Sequence, residues 1–299
     1  MRVDPFFVSN LVGSLDQTQA TEQQLTSELS SGVRVTSLSQ DPVASGQNVL
    51  LLNQIQRDDS FTQSASLVQG QLQISDSVLG SVVSQLTSAI SLATSANNGT
   101  MNASNLKSVS NQLAGIRDEV LSLANTSYQG AYIFGGSQTS AAPFSLSGST
   151  SPATVTYNGD QDTNSIQTPN GQAIQLNLPG NQVFDAAGGN SVFAALNQLI
   201  ADYSSGSASS TAVSDTQALS NALNYVSQQR VVIDNSLSRL NAASDAVASE
   251  QTQLVTVQTN LMQADVAQVA TQLSLSKTQE TALESVIAQL GSGSLFDKL

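Results

Sequence analysis

No cysteine, no histidine and no tryptophan occur anywhere in the 299 residues. Without histidine and cysteine, the chain lacks the two side chains most used as general bases, nucleophiles and transition-metal ligands near neutral pH. An enzyme built from Asp, Glu, Lys, Ser and Tyr stays conceivable, but no catalytic constellation, metal site or cofactor motif is expected. Missing cysteine suits either a reducing compartment or a chain that crosses a narrow channel unfolded, where a disulfide would jam. Charge is sparse as well: 10% of residues are charged, and 22 acids against 9 bases leave a net −13. That balance argues against nucleic-acid binding, which wants Lys and Arg massed on one face. The opening MRVDPFFVSNLVGSLD has no long apolar core and no small-residue cleavage site, so it does not read as a secretory signal peptide. No run approaches the ~20 apolar residues of a membrane span, and no membrane partner is expected. Taken alone, these features point to the cytoplasm.

Proline is scarce and unevenly placed. Of six, four (Pro143, Pro152, Pro169 and Pro179) crowd into one middle stretch, leaving 43–142 and 180–299 free, as long helices require. That middle carries strand and turn signals. ATVTYNGD alternates apolar and polar residues up to Asn158-Gly159, and IQTPNGQAIQLNLPG does so around Asn170-Gly171, a hairpin-type turn. A small β-rich insert is expected over 137–189.

What the flanks have in abundance is heptad spacing. Steps of four and three from Phe61 visit Ala65, Val68, Leu72, Ser75, Leu79, Val82, Leu86, Ala89 and Ala93. A second stripe runs Leu106, Val109, Leu113, Ile116, Val120, Leu123; a third runs from Leu219 through Val226, Arg230, Ile233, Leu240 and Val247 to Leu261. A period of 3.5 sustained this long is a coiled-coil-like signal. A single helix over about 211–290 would span ~120 Å at ~1.5 Å per residue. The expected fold is mainly α: an elongated rod of long coiled-coil-like helices from both chain ends with a small inserted β-rich domain. Arg230, a charge on an apolar stripe, either pairs with a facing acid such as Asp118 or Glu119 or snorkels to the edge.

The two ends are weaker. Val8, Leu11, Leu15, Leu25 and Leu29 keep the spacing, but Thr18 and Glu22 interrupt it. Val269, Leu273, Leu283, Ile287 and Leu290 do likewise around Ser276 and Glu280. Such stripes offer too little apolar area to offset the ordering entropy of a lone helix pair, so these residues are expected to form an assembly interface completed by neighbouring copies. Between the first helix and the next, LSSGVRVTSLSQDPVAS supplies Gly32 for the left-handed position that ends a helix, then Asp41 as N-cap and Pro42 as first helical residue. It reads as a joint between layers. The resulting division is 1–45 with 262–299 as terminal helices forming an inner tube, 46–136 with 190–261 as a helical rod, and 137–189 as the outer insert.

The same joint resembles the flagellin-type N-terminal signature, an L-S-S-G-x-R-(I/V)-x-S element followed by an acidic helix start. Gln40-Asp41-Pro42-Val43-Ala44 is closer to the version found in flagellar hook-associated proteins. LANTSYQGAYIFGGSQTSAAPF (123–144), Tyr157-Asn158-Gly159-Asp160 and the closing LFDKL also resemble the junction-type members of that flagellin-like superfamily. One departure is Gln263-Ala264-Asp265-Val266-Ala267, where the family commonly has D-x-D-x-A. The resemblance implies a self-assembling ring-like layer between hook, through hook-associated protein 1, and the flagellin filament. It also implies type III export without a cleaved signal peptide, an extracellular location, and an export chaperone that holds 262–299. Rival readings are a flagellin that builds the filament itself and a type III-exported surface-binding protein.

Remaining site-like signals are weak. DQDTNS at 160–165 mimics a Ca²⁺ loop but has Ser165 and Gly171 where Gly and Glu belong. Asn98, Asn102 and Asn125 open N-x-(S/T) sequons of a kind that Ser/Thr-rich chains produce by chance. Gly135-Gly136 and Gly188-Gly189 read as domain-crossing joints.

Overall fold

The computed structural model describes residues 5–147, 153–186 and 190–292. In chain order the elements are α1 (Pro5–Ser31), α2 (Pro42–Ala96), α3 (Ala103–Ala124), β1 (Ser127–Tyr128) and β2 (Ala131–Tyr132), then β3 (Phe144–Ser147), β4 (Thr154–Tyr157), β5 (Ser165–Gln167) and β6 (Ala173–Gln175). There follow α4 (Gly180–Phe184), β7 (Asp185–Ala186), β8 (Asn190–Ser191), α5 (Val192–Ser204), α6 (Ala212–Met262) and α7 (Val266–Ser292). Mainly α architecture with a few small strands is what the heptads and the proline distribution led one to expect.

Two compact units form: a terminal unit of residues 1–57 and 249–299, and a central unit of 58–248. The central unit has one continuous core. Leu72, Leu79, Val82, Leu86, Ala89 and Ala93 of α2, Leu113 and Val120 of α3, and Leu219 and Val226 of α6 are all shut off from solvent. Each such Leu contributes about 1.5–3 kcal/mol by leaving water. Ser75, the polar member of the first stripe, is buried because its hydroxyl donates to the Gln71 carbonyl 2.9 Å away, one turn back. Within this unit α2 and α6 run antiparallel, joined by Gln69 to Asn241 and by Asp76 to Arg230. Arg230 therefore does pair, but with Asp76 rather than with Asp118 or Glu119. Its Nε and a terminal nitrogen donate to the Asp76 carboxylate at 2.5 and 3.0 Å, with the guanidinium lying over Gly80 of α2. Asp118 is taken by Arg117 of its own helix.

One window of α2 reaches a mean hydropathy of 1.3, enough by composition for a membrane span and more than the sequence reading allowed. The same helix supplies the central core just described, which accounts for that apolarity.

The short α5 completes the central unit. Tyr203 is fully buried and its hydroxyl donates to Asn97 Oδ1 at 2.7 Å, tying α5 to the end of α2, while Asn97 Nδ2 reaches Thr216 of α6 at 3.1 Å. Two sequon asparagines have structural duties. Asn102 caps α3 by accepting from the Asn105 amide, and Asn125 clamps both backbone groups of Phe144 at 2.9 Å.

The expected insert does not stand apart; 137–189 lies inside the central unit. Phe144, Ile174, Leu178, Val183 and Phe184 share the helical core, and Phe134, Phe144, Phe184 and Phe193 form a cluster with ring centroids 5.2–5.9 Å apart. The turn at Asn170-Gly171 is a hairpin turn as expected: β5 pairs with β6, and Gly171 takes φ +79°. Asn158-Gly159 is not one. β4 instead pairs back to β3, Phe144 opposite Tyr157, and after β4 the chain tucks under the Gly135-Gly136 bend. There the Asp160 carboxylate accepts from the Ser137 amide and hydroxyl and from the Asp162 amide, while the Tyr157 hydroxyl lies 3.0 Å from the Phe134 oxygen. Those bonds from Ser137 hold Asp160 below the usual carboxylate range. The resemblance motifs I-F-G-G and Y-N-G-D are thus the two halves of one lock. Gly188-Gly189 lies outside the described residues.

Candidate assembly surface

Two helix breaks face each other in the terminal unit. The first follows α1, where Gly32 at φ +68° donates its amide to Glu28 and ends the helix. The second lies at Gln263-Ala264-Asp265, so the helix expected over about 211–290 is two helices, α6 and α7. The breaks are stitched by an antiparallel bridge between Val33 and Gln263: Arg34 N–H donates to Met262 O at 2.7 Å, and Ala264 N–H to Gly32 O at 2.9 Å. Asp265 caps α7 through the Ala267 and Gln268 amides at 3.0 and 3.1 Å. The acid that this chain retains from D-x-D-x-A, Asp265, caps α7, and Gln263 stands opposite Val33 in the bridge.

Asp41 and Pro42 behave as expected. Asp41 Oδ1 accepts from the Ala44 amide at 2.9 Å, and Pro42 is the first residue of α2. The Ala44 bond, then Arg34 at 3.3 Å, hold Asp41 below its ordinary range. Arg34 also donates to Leu261 O, so one guanidinium touches the α2 cap and the end of α6.

Beyond the joint α1 and α7 pair antiparallel, and the nominated stripes meet in their seam. Leu25 and Val269 are buried, and Leu11, Leu15, Leu273, Leu283 and Ile287 are half-buried. Leu29 lies outside at 37% exposed, and the side chains of Val8 and Leu290 lie outside the described residues. The seam's apolar cluster is small: Leu25, Ala264 and Val269, with Leu273 against it. Its middle is polar. Glu22 faces Glu280, with Lys277 and Glu284 nearby, and Gln19 donates to Glu280 at 3.0 Å. Burial first, then the Glu280 charge, push the Glu22 carboxyl up. A raised folded value means that Glu22 favours the seam while protonated. That stability is present below its unfolded range and lost as pH rises through its folded value. Glu22→Gln is accordingly expected to slow amide exchange along α1 and α7 at neutral pH and to flatten its pH dependence, after correction for intrinsic rates. Faster exchange in the variant would contradict this.

A different set of apolar side chains points outward. On α1 these are Phe6, Phe7 and Val12, on the first turns of α2 Val43, Val49, Leu50 and Leu52, and on α7 Val266, Leu275 and Val286. The sequence reading missed them because it followed one stripe per helix. The run Val49-Leu50-Leu51-Leu52, four apolar residues that no single helix face can bury, was the available signal. Among the described residues no group of three or more Asp and Glu side chains converges as a metal site would require.

Residues 7–139 match the bacterial flagellin N-terminal helical region. Flagellar hook-associated protein 3 of Salmonella typhimurium is 30% identical over 187 residues, 62% of this chain and 57% of that protein. The Escherichia coli protein of the same name is 27% identical over 259 residues, 79% of this chain and 80% of its own. In fold, a flagellar hook-associated protein from Vibrio parahaemolyticus superposes with a TM-score of 0.66 at 20% identity, covering 75% of this chain and all of that one. The flagellar junction protein from Legionella pneumophila does so at 0.57 and 16%, covering 72% and 99%. The chain thus carries a flagellin-type helical region on a hook-associated-protein fold. More particularly, its sequence is similar to those of two proteins named flagellar hook-associated protein 3.

Proposed function

We propose that this protein is a structural, self-assembling component of the bacterial flagellum. It would form the junction layer between the hook, through hook-associated protein 1, and the flagellin filament. One observation carries the reading: the paired terminal helices bury little more than Leu25, Ala264 and Val269 against each other, while Phe6, Phe7, Leu50 and Leu275 stay outside. A 27-residue helix pair with so thin a seam gains order when neighbouring copies cover its other faces. The nominated residues Leu11, Leu15, Leu25, Leu273, Leu283 and Ile287 then shape the helix pair, and the outward set meets the neighbours. This assignment goes with export through the flagellar type III apparatus without a cleaved signal peptide, an extracellular location, and a chaperone that holds the 262–299 segment before secretion. It leaves no role for catalysis.

Truncation of 262–299 tests it in cells. The variant is expected to be made and to leave the central unit folded, while the cells secrete flagellin and retain no filaments. Filaments retained at wild-type numbers would overturn the proposal. The match of 7–139 to the flagellin helical region favours a second reading, that the chain itself builds filament. Seeds of the purified protein would then elongate without any partner, whereas a junction protein stays monomeric.

A further inference from the structure

Three Asn-Gly pairs occur in this chain, and the structure treats them very differently. Asn158 donates its side-chain amide to Ser145 Oγ at 2.9 Å and its backbone amide to Pro143 O at 2.8 Å. Gly159 beside it is packed so closely that a Cβ would lie 2.7 Å from Gly135 O. Asn170 is exposed, but the Gly171 amide donates to Thr168 O at 2.8 Å within the β5–β6 turn. Asn98 has neither restraint. It is exposed just past the end of α2, its side chain enters no hydrogen bond among the described residues, and nothing stands within 4 Å of a Cβ placed on Gly99.

We propose that Asn98-Gly99 is a site of self-catalysed deamidation. The Gly99 backbone nitrogen attacks the Asn98 side-chain carbonyl carbon, and the nitrogen loses its proton to solvent as the C–N bond forms. The ring closes to a succinimide as the side-chain nitrogen takes a proton from solvent and leaves as ammonia. Water then adds to either ring carbonyl and opens it to aspartate or isoaspartate. Glycine permits the attack because no side chain crowds its nitrogen. The reaction also needs that nitrogen unbonded and the side-chain carbonyl free to swing onto it, conditions that Asn98 meets and the other two pairs do not.

Position gives the change a consequence. Asn97, the preceding residue, bonds Tyr203 and Thr216 and so joins α2 to α5 and α6. A carboxylate at the C-terminal end of α2 opposes the helix dipole, and an isoaspartate adds a main-chain methylene beside that clasp. Either product also removes the Asn98-Gly99-Thr100 sequon.

The test is to age the full-length protein in mildly alkaline buffer, folded and in denaturant, and to map the three sites by mass spectrometry with isoaspartate detection. Folded conversion at 98 is expected near the denatured rate. At 158 it should be at least about tenfold slower than in denaturant, the factor that about 1.4 kcal/mol of local opening imposes; 170 should fall between. Asn98→Gln, whose longer side chain closes a ring poorly, should leave position 98 unmodified and keep the melting temperature that aged wild type loses. The proposal is overturned if Asn98 is as protected as Asn158, or if aged wild type and Asn98→Gln lose the same melting temperature.

Discussion

Gly136→Ala is expected to lower the stability of the central unit by about 3 kcal/mol, whereas Gly171→Ala costs about 1 kcal/mol. Both glycines have positive φ, +73° and +79°, so both variants share the left-handed strain of about 1–2 kcal/mol. They differ in space. Nothing lies within 4 Å of a Cβ on Gly171, but one on Gly136 would sit against the Asp160 carboxylate and 2.7 Å from the Asp160 backbone oxygen. Relief requires the Ser137–Asp160 bonds to break or the 134–137 bend to move away from Tyr157 and Gly180, adding about 1–3 kcal/mol of overpacking cost. For a unit of this size, each kcal/mol shifts the melting temperature by about 2–4 °C, so thermal unfolding separates the two variants. The terminal helices should be untouched. Equal losses from both substitutions would mean that the bend is free to move and the two motifs do not form a lock.

That lock marks where sequence reading stopped. Asn158-Gly159 carries a hairpin signal, yet its role depends on Gly135, more than twenty residues earlier, and no local pattern conveys that pairing. The insert looked separable because prolines and short strands set 137–189 apart; what joins it to the helices is where Phe144 and Phe184 point. Removing 137–189 would therefore strip the central core, and would not isolate a surface-binding function. Conversely, Leu72 to Ala93 were legible at once, because a 3.5-residue period needs no knowledge of the partner helix. The identity of the partner was not legible: nothing in the spacing selects Asp76 over Asp118 for Arg230, since that depends on how far α2 and α6 slide past each other. The break at Gln263-Ala264-Asp265 was hidden for the same reason. It contains no Gly or Pro, and the bridge to Val33 that satisfies its backbone comes from more than 200 residues away. Of the candidate surface, the interrupted stripes and the Gly32–Pro42 joint were visible. Whether the stripes face their own chain or a neighbour was not, because apolar spacing is the same in both cases.

Leu25→Ala is expected to undo the helix pair while leaving the central unit intact. Leu25 is 7% exposed and is the largest apolar side chain buried in the α1–α7 seam, against Ala264, Val269 and Leu273. A buried Leu→Ala change costs about 2–5 kcal/mol. The seam has little in reserve, since its remaining apolar residues are only half-buried and Glu22 and Glu280 occupy its middle. Most helical stability in a protein comes from packing of an apolar face rather than from propensity, so without that contribution neither partner orders the other. Amide exchange in the monomer should show the α1 and α7 protection of wild type, itself modest, falling to that of an unstructured chain, with the Leu72–Ala93 stretch unchanged. Leu29→Ala, at an exposed position outside the seam, should leave monomer protection as it is. If Leu25→Ala also preserves it, the terminal helices are held by something other than their shared seam. The case that neighbouring copies must complete them then loses its physical basis, because a helix pair already stable without Leu25 has no need of them.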